Sequence, residues 1–297
     1  KSHVISRKNA YHGSSIGSGS LGGMTYMHAQ GGMPIPGIHH IGQPDWWAEG
    51  GDMTPADFGL MRAKELEAKI EELGAENVAA FIAEPITGAS GVIVPPAGYY
   101  EKVQAILAKY DILFWADEVI TGFGRTGNDF GCTTMGIKPA MMTLAKQLSS
   151  AYMPISASVI RGDMYEAMIE PSSQVGVFGH GYTYSGHPVA AAAALATLDI
   201  YEEEKLFERS RSLEGYFEQA VHSLKGLPNL IDIRNTGLVA GIQFAPSDKG
   251  VGKRGFGIFE TCFKNRTSSH VSLQVRGFFN GVINMIWGIY YAALGIA

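Results

Sequence analysis

The 297-residue chain predicts an α/β fold built on a mostly parallel sheet. Three observations carry that expectation. Val78–Ala83 and Ile112–Ala116 are short, continuous apolar runs, the pattern of strands buried on both faces. Amphipathic stretches alternate with them, over Pro55–Leu73 and Tyr99–Tyr110. A carboxylate follows each run directly, Glu84 and Asp117, which puts both at carboxyl strand ends, where such sheets bind ligands.

Taken in order, residues 1–50 are rich in Gly and His, with turn signals at Gly31-Gly32, Pro34 and Pro36-Gly37, and read mostly as loop. Pro55–Leu73 reads as a helix with Asp57 as cap and Leu60, Ala63, Leu66 and Ile70 as its apolar stripe. Further on, Met153–Ile160 reads as a short strand and Pro188–Glu204 as a long Ala-rich helix. Glu203–Leu224 continues with helical spacing, and Asn229–Phe244 alternates as strands do, with a break at Gly237. Charge density rises after Lys205. That places a boundary near residue 200, between a large domain over 1–200 and a small one over 201–297.

Composition narrows the function. Apolar residues make up 46% and charged residues 17%, which fits an ordinary globular protein. A net charge of −5 with no Lys/Arg block argues against nucleic acid as a partner. Cys132 and Cys262 stand far apart and suit neither a disulfide framework nor a zinc site, so a reducing, cytoplasmic setting is expected. His39-His40 lacks the spacing of a metal site, and no metal is expected. Lys1–Arg7 has no apolar run of the signal-peptide kind, and the chain opens without Met. Residues 277–297 carry no charge; as a helix they would span roughly 30 Å, the thickness of a bilayer core. Asn280, Asn284 and four glycines weaken such a span, so the segment reads as a buried or ill-fitting tail rather than a membrane anchor.

The chemistry rests on a set of residues rather than on any one of them. Asp117 ends an apolar strand, where a carboxylate is costly unless a cation meets it. Lys146 follows the apolar Met141–Ala145 and poses the same problem with the opposite sign. Pyridoxal phosphate (PLP) answers both, because it needs a lysine amine for a Schiff base and a carboxylate to keep its ring nitrogen protonated. A burial-driven fall in the Lys146 pKa from about 10.4 would make its amine a nucleophile at neutral pH. Gly122-Phe123-Gly124-Arg125-Thr126-Gly127 supplies a tight backbone beside Asp117, and Tyr182–Pro188 offers hydroxyls and N–H groups suited to a phosphate. Taken alone, Asp117-Glu118 also reads as a metal site or a structural ion pair, and Lys146 as a surface lysine. Gly13–Gly19 has the look of a phosphate loop, but no strand clearly feeds it and it reads as loop.

The combined motifs resemble a known family. Tyr11-His12-Gly13, Ala83-Glu84-Pro85, Trp115–Gly127, Leu144-Ala145-Lys146 and His180–Pro188 are similar, in order and spacing, to the class III PLP-dependent aminotransferases of fold type I. The style of Lys146–Ile155 is most similar to the omega-amino acid or amine:pyruvate branch. The resemblance runs from about residue 2 to about residue 265. It implies a mostly parallel sheet with helices on both faces and a small C-terminal α+β domain. It further implies that Lys146 carries the cofactor as an aldimine and then acts as the proton-moving base. Asp117 would pair with the ring nitrogen, Val119 and Tyr11 would flank the ring, and Thr183 would contact the phosphate of a neighbouring subunit in a homodimer with shared sites. Glu84 would influence substrate choice. The reaction implied is ping-pong transfer from an amine or omega-amino acid to a keto acid such as pyruvate. Two rivals share the motifs: a related PLP aminomutase or decarboxylase, and a catalytically inert fragment. Family members carry a long segment ahead of the Tyr-His-Gly motif and an arginine-bearing end; by that measure this chain is truncated at its start and divergent after about residue 265.

Overall fold

The computed structural model describes residues 1–248, 253–264, 272–274 and 282–286. A six-stranded sheet runs β2-β1-β3-β4-β5-β6. Its strands are β1 (His3–Arg7), β2 (Ile38–Ile41), β3 (Val78–Ala83), β4 (Leu113–Asp117), β5 (Met141–Leu144) and β6 (Ala157–Ile160). The first five pair in parallel, and β6 lies antiparallel on β5. A second, antiparallel sheet runs β7-β8-β10-β9, from β7 (Leu230–Thr236), β8 (Val239–Phe244), β9 (Ser272–Gln274) and β10 (Val282–Ile286). The expected α/β class with a mostly parallel sheet is what the chain forms.

Short helices α1 (Ile16–Leu21), α2 (Thr25–His28) and α3 (Trp46–Glu49) occupy the first fifty residues. Turns and irregular chain still make up most of that stretch, as expected, but β1 and β2 also lie in it. Strands of four and five residues set among glycines leave too short a pattern to stand out from turns. Within this region His39 is hydrogen-bonded to His3 (Nε2 to Nδ1, 2.8 Å), and His40 to the Gly22 carbonyl (2.9 Å), both structural roles.

Helix α4 (Pro55–Leu73) is capped by Thr54, whose hydroxyl accepts from Asp57 N at 3.2 Å; Asp57, expected as the cap, sits one turn in. Its buried face is Phe58, Ala63, Leu66 and Ile70, while Leu60 of the expected stripe faces solvent. With α5 (Tyr99–Lys109), this face covers Ile5 of β1, Phe81 of β3 and Phe114 of β4 in one core. Each such buried side chain contributes about 1.5–3 kcal/mol. Then follow α6 (Gly131–Met135), α7 (Gly162–Val175), α8 (Pro188–Glu203), α9 (Leu206–His222) and α10 (Lys253–Lys264). Lys205, at φ +51°, separates α8 from α9 where continuous helical spacing was expected. A second core joins Leu144 and Leu148 to Ala194 and Tyr201 of α8, Phe217 of α9 and Ile242 of β8.

Part of the uncharged tail is sheet. Val282–Ile286 pairs with Val239–Gln243 of β8, so this stretch is extended rather than helical. The rest of 277–297, with Arg266 and Arg276, lies outside the described residues. Among the described residues no helix is long and apolar enough to cross a membrane.

Candidate active site

Parallel pairing brings the carboxyl ends of β1, β3, β4 and β5 to one rim. Ala83 pairs with Ala116 and Asp117 with Thr143, so Glu84 and Asp117 follow one another across neighbouring strands, and Lys146 lies just past the end of the next. Tyr11 and His12 follow β1 on the same side.

Asp117 is the centre of this rim. Its Oδ2 accepts from His12 Nδ1 at 2.7 Å and its Oδ1 from the Val119 N–H at 3.1 Å. The two side chains of the pair are 2% and 6% exposed, so a donor meets the buried carboxylate as its burial demands. Glu84, also buried, accepts from Tyr11 N at 3.2 Å and from Gly88 N at 2.8 Å. Burial pushes its carboxyl above the ordinary range; His12 opposes that rise and the nearby Asp117 charge adds to it. A Cβ at Gly88 would lie 2.5 Å from Ile120 Cδ1, so a side chain there would displace the Ile120 methyl.

Arg7, fully buried at the end of β1, holds this arrangement from below. Its Nη2 donates to the Glu84 carbonyl at 2.7 Å and to Thr87 Oγ1 at 3.0 Å, and its Nη1 to Tyr100 Oη at 3.2 Å. The Tyr100 hydroxyl donates to the same Glu84 carbonyl at 2.7 Å. Glu118, next to Asp117, turns away to take the Gly131 and Cys132 N–H groups at 3.0 and 2.6 Å. It is a structural carboxylate at the start of α6.

The remaining expected residues fall as follows. Lys146 opens a 3₁₀ turn, Lys146–Leu148, at φ +47°, a left-handed conformation uncommon for residues with a side chain. It is exposed. Val119 is half-buried beside Asp117, and Tyr11 packs against Met24, Met27 and Ala89. Thr183 lies in an exposed turn ahead of α8 whose Ser185 N–H donates to the Tyr182 carbonyl at 2.9 Å. His12, Arg7 and Ser6 went unassigned in the sequence. The signal for His12 was the unmet need of Asp117 for a donor, 105 residues away.

Comparison with known proteins agrees with this geometry. The family model Aminotransferase class-III matches residues 1–267. A putrescine–pyruvate aminotransferase of Pseudomonas aeruginosa is 49% identical over 89% of this chain and 59% of its own length. A gamma aminobutyrate transaminase 3, chloroplastic, of Solanum lycopersicum is 43% identical over 93% of this chain and 54% of its own. The crystal structure of the omega transaminase from Pseudomonas jessenii in complex with PMP superposes with a TM-score of 0.91 at 38% identity, over 97% of this chain and 63% of that one. The chain belongs to the class III aminotransferase family, with the fold type I architecture of its transaminase neighbours. It spans between half and two thirds of the length of these relatives.

Pyridoxal phosphate is the cofactor of this family, and the residues present fit it. A buried carboxylate held by two donors keeps lone pairs for a protonated ring nitrogen. A primary amine stands at the end of the adjacent strand.

Proposed function

We propose that this chain carries the cofactor-binding core of an aminotransferase that moves an amino group from an amine or omega-amino acid to a keto acid such as pyruvate. The observation that carries the reading is the buried His12–Asp117 pair at the rim, one strand from Lys146. When bound, PLP supplies an electron sink for the substrate's α-type carbanion charge. Asp117 would hold the ring nitrogen's proton, and Lys146 would anchor the cofactor and then move a proton at the substrate carbon. Val119 and Tyr11 would flank the ring. Glu84, with its raised affinity for a proton, follows β3 on the same rim. Putrescine and gamma-aminobutyrate in the relatives' names support a donor with a terminal amine.

A homodimer with shared sites belongs to the same reading, with Thr183 reaching the phosphate bound by the second copy. Its support is the exposed apolar surface around that turn, at Val177, Phe178, Tyr182 and Tyr184. So does the division into domains over 1–200 and 201–297, supported by the break at Lys205. A cytoplasmic setting is supported by Cys132, a free thiol whose burial, with the Glu118 charge beside it, pushes it far from thiolate reactivity.

The test is the visible spectrum of the purified chain with PLP, beside Lys146→Ala. A band that needs Lys146, bleaches with putrescine and returns with pyruvate, yielding alanine, supports the reading. A spectrum identical to the variant's defeats it. A band that bleaches with putrescine but does not return with pyruvate supports the first half-reaction and points to a different keto acid acceptor.

A further inference from the structure

Ser6 closes the far end of the His12–Asp117 pair. It is the penultimate residue of β1, fully buried, and its Oγ lies 3.4 Å from His12 Nε2. His12 therefore has a partner on each ring nitrogen, the Asp117 carboxylate at Nδ1 and the Ser6 hydroxyl at Nε2. The two partners differ in kind. An ionised carboxylate only accepts, so the nitrogen facing it carries a hydrogen. A hydroxyl both donates and accepts, so Ser6 can donate to Nε2 of a neutral ring or accept from Nε2–H of a charged one. In either state Nδ1–H stays on Asp117.

We propose that Ser6 is a positioning residue that fixes the orientation of the His12 ring, and through it the Asp117 carboxylate that the cofactor's ring nitrogen would meet. The second half of this rests on the role proposed for Asp117 above. Strand geometry supports it, because successive residues of β1 point to opposite faces. Ser6 serves the Asp117 side through His12, and Arg7 serves the Glu84 side through its carbonyl. Without the hydroxyl, Nε2 loses its partner inside a side chain that is almost wholly buried. Nothing then fixes the far end of the ring, which can tilt or turn over. In a turned ring Asp117 would lose its Nδ1–H donor, and the Val119 N–H would be left to orient the carboxylate.

The experiment is ring-nitrogen NMR on the full chain labelled with ¹⁵N-histidine, without cofactor, with His12 assigned by its loss in His12→Gln. The wild type should show the Nδ1–H pattern. Ser6→Ala, checked for native circular dichroism, should replace it by a broadened, averaged pattern as the ring loses its fixed orientation, and Ser6→Thr should restore it. A wild-type Nε2–H pattern overturns the proposal whatever the variants do, as does a wild-type pattern kept in Ser6→Ala. A folded Ser6→Thr that fails to restore the pattern overturns it too. Because no cofactor is present, failure to take up PLP would count against the proposed function alone, and the ring pattern would still decide the role of Ser6.

Discussion

His12 Nδ1 lies 2.7 Å from Asp117 Oδ2, and the two residues, 105 apart in sequence, bury each other at the carboxyl ends of β1 and β4. A buried pair of this kind stands on mutual satisfaction: each partner is stable there because the other is present. Replacing Asp117 by Ala leaves the His12 and Val119 N–H groups without their acceptor. The expected loss is about 1–3 kcal/mol in urea titration. In a double-mutant cycle with His12→Ala the two losses should fall short of additivity by about 0.5–3 kcal/mol. Strictly additive losses would mean that the pair contributes no coupling.

Arg7 makes three hydrogen bonds from a fixed fork, two from Nη2 and one from Nη1. Lysine keeps the charge but cannot reach the Glu84 carbonyl, Thr87 and Tyr100 together. Arg7→Lys should therefore lower stability by about 1–3 kcal/mol although it counts as conservative. An unchanged urea midpoint would show that charge alone, rather than the fork, holds the end of β3.

How much of this was legible in the sequence depends on the length of the signal. β3 and β4 are continuous apolar runs and α4 has a clear stripe, so the centre of the sheet and the positions of Glu84 and Asp117 at its rim could be read directly. β1 and β2 were missed because His3-Val4-Ile5-Ser6-Arg7 and Ile38-His39-His40-Ile41 carry polar residues that find partners in the fold. Their polarity is tertiary information. Asp117 announced that it needed a donor, but nothing local said that the donor was His12, or that Ser6 stood behind it. For Lys146 the sequence left a desolvated and a surface position both open, since burial around a strand-end lysine depends on what packs over the rim rather than on its own apolar neighbours.

Gly237 docks the second sheet on the glycine-rich segment beside Asp117. It turns β7 into β8 at φ +54°, and a Cβ there would lie 2.4 Å from the Thr126 carbonyl carbon. Next to it, Leu238 N donates to the Arg125 carbonyl at 2.9 Å. Gly237→Ala must therefore bear both the left-handed backbone, about 1–3 kcal/mol, and the displacement of 125–127. Gly226→Ala is the control, at φ +88° with open space around its Cβ position. Thermal unfolding should show a markedly larger loss at 237 than at 226; equal losses would mean that the close approach to Thr126 is not maintained.

Glu84 makes stability depend on pH in a direction opposite to that of a salt-bridged acid. Burial, with the Asp117 charge behind it, raises its pKa in the folded chain above the ordinary 4.5. The unfolded chain thus releases this proton through pH 4.5 while the native chain still holds it. Between the two pKa values the native state binds more protons, so stability falls as pH rises, and the loss is complete above the folded pKa. Glu84→Gln has nothing to titrate. Its amide accepts from only one of Tyr11 N and Gly88 N, a deficit that does not change with pH. The stability difference between variant and wild type should therefore move in favour of the variant between about pH 4 and about pH 7. Urea titrations of both chains across that range measure it directly. A difference that stays flat would mean that Glu84 ionises in the folded chain as readily as in the unfolded one, and that its two N–H donors offset its burial.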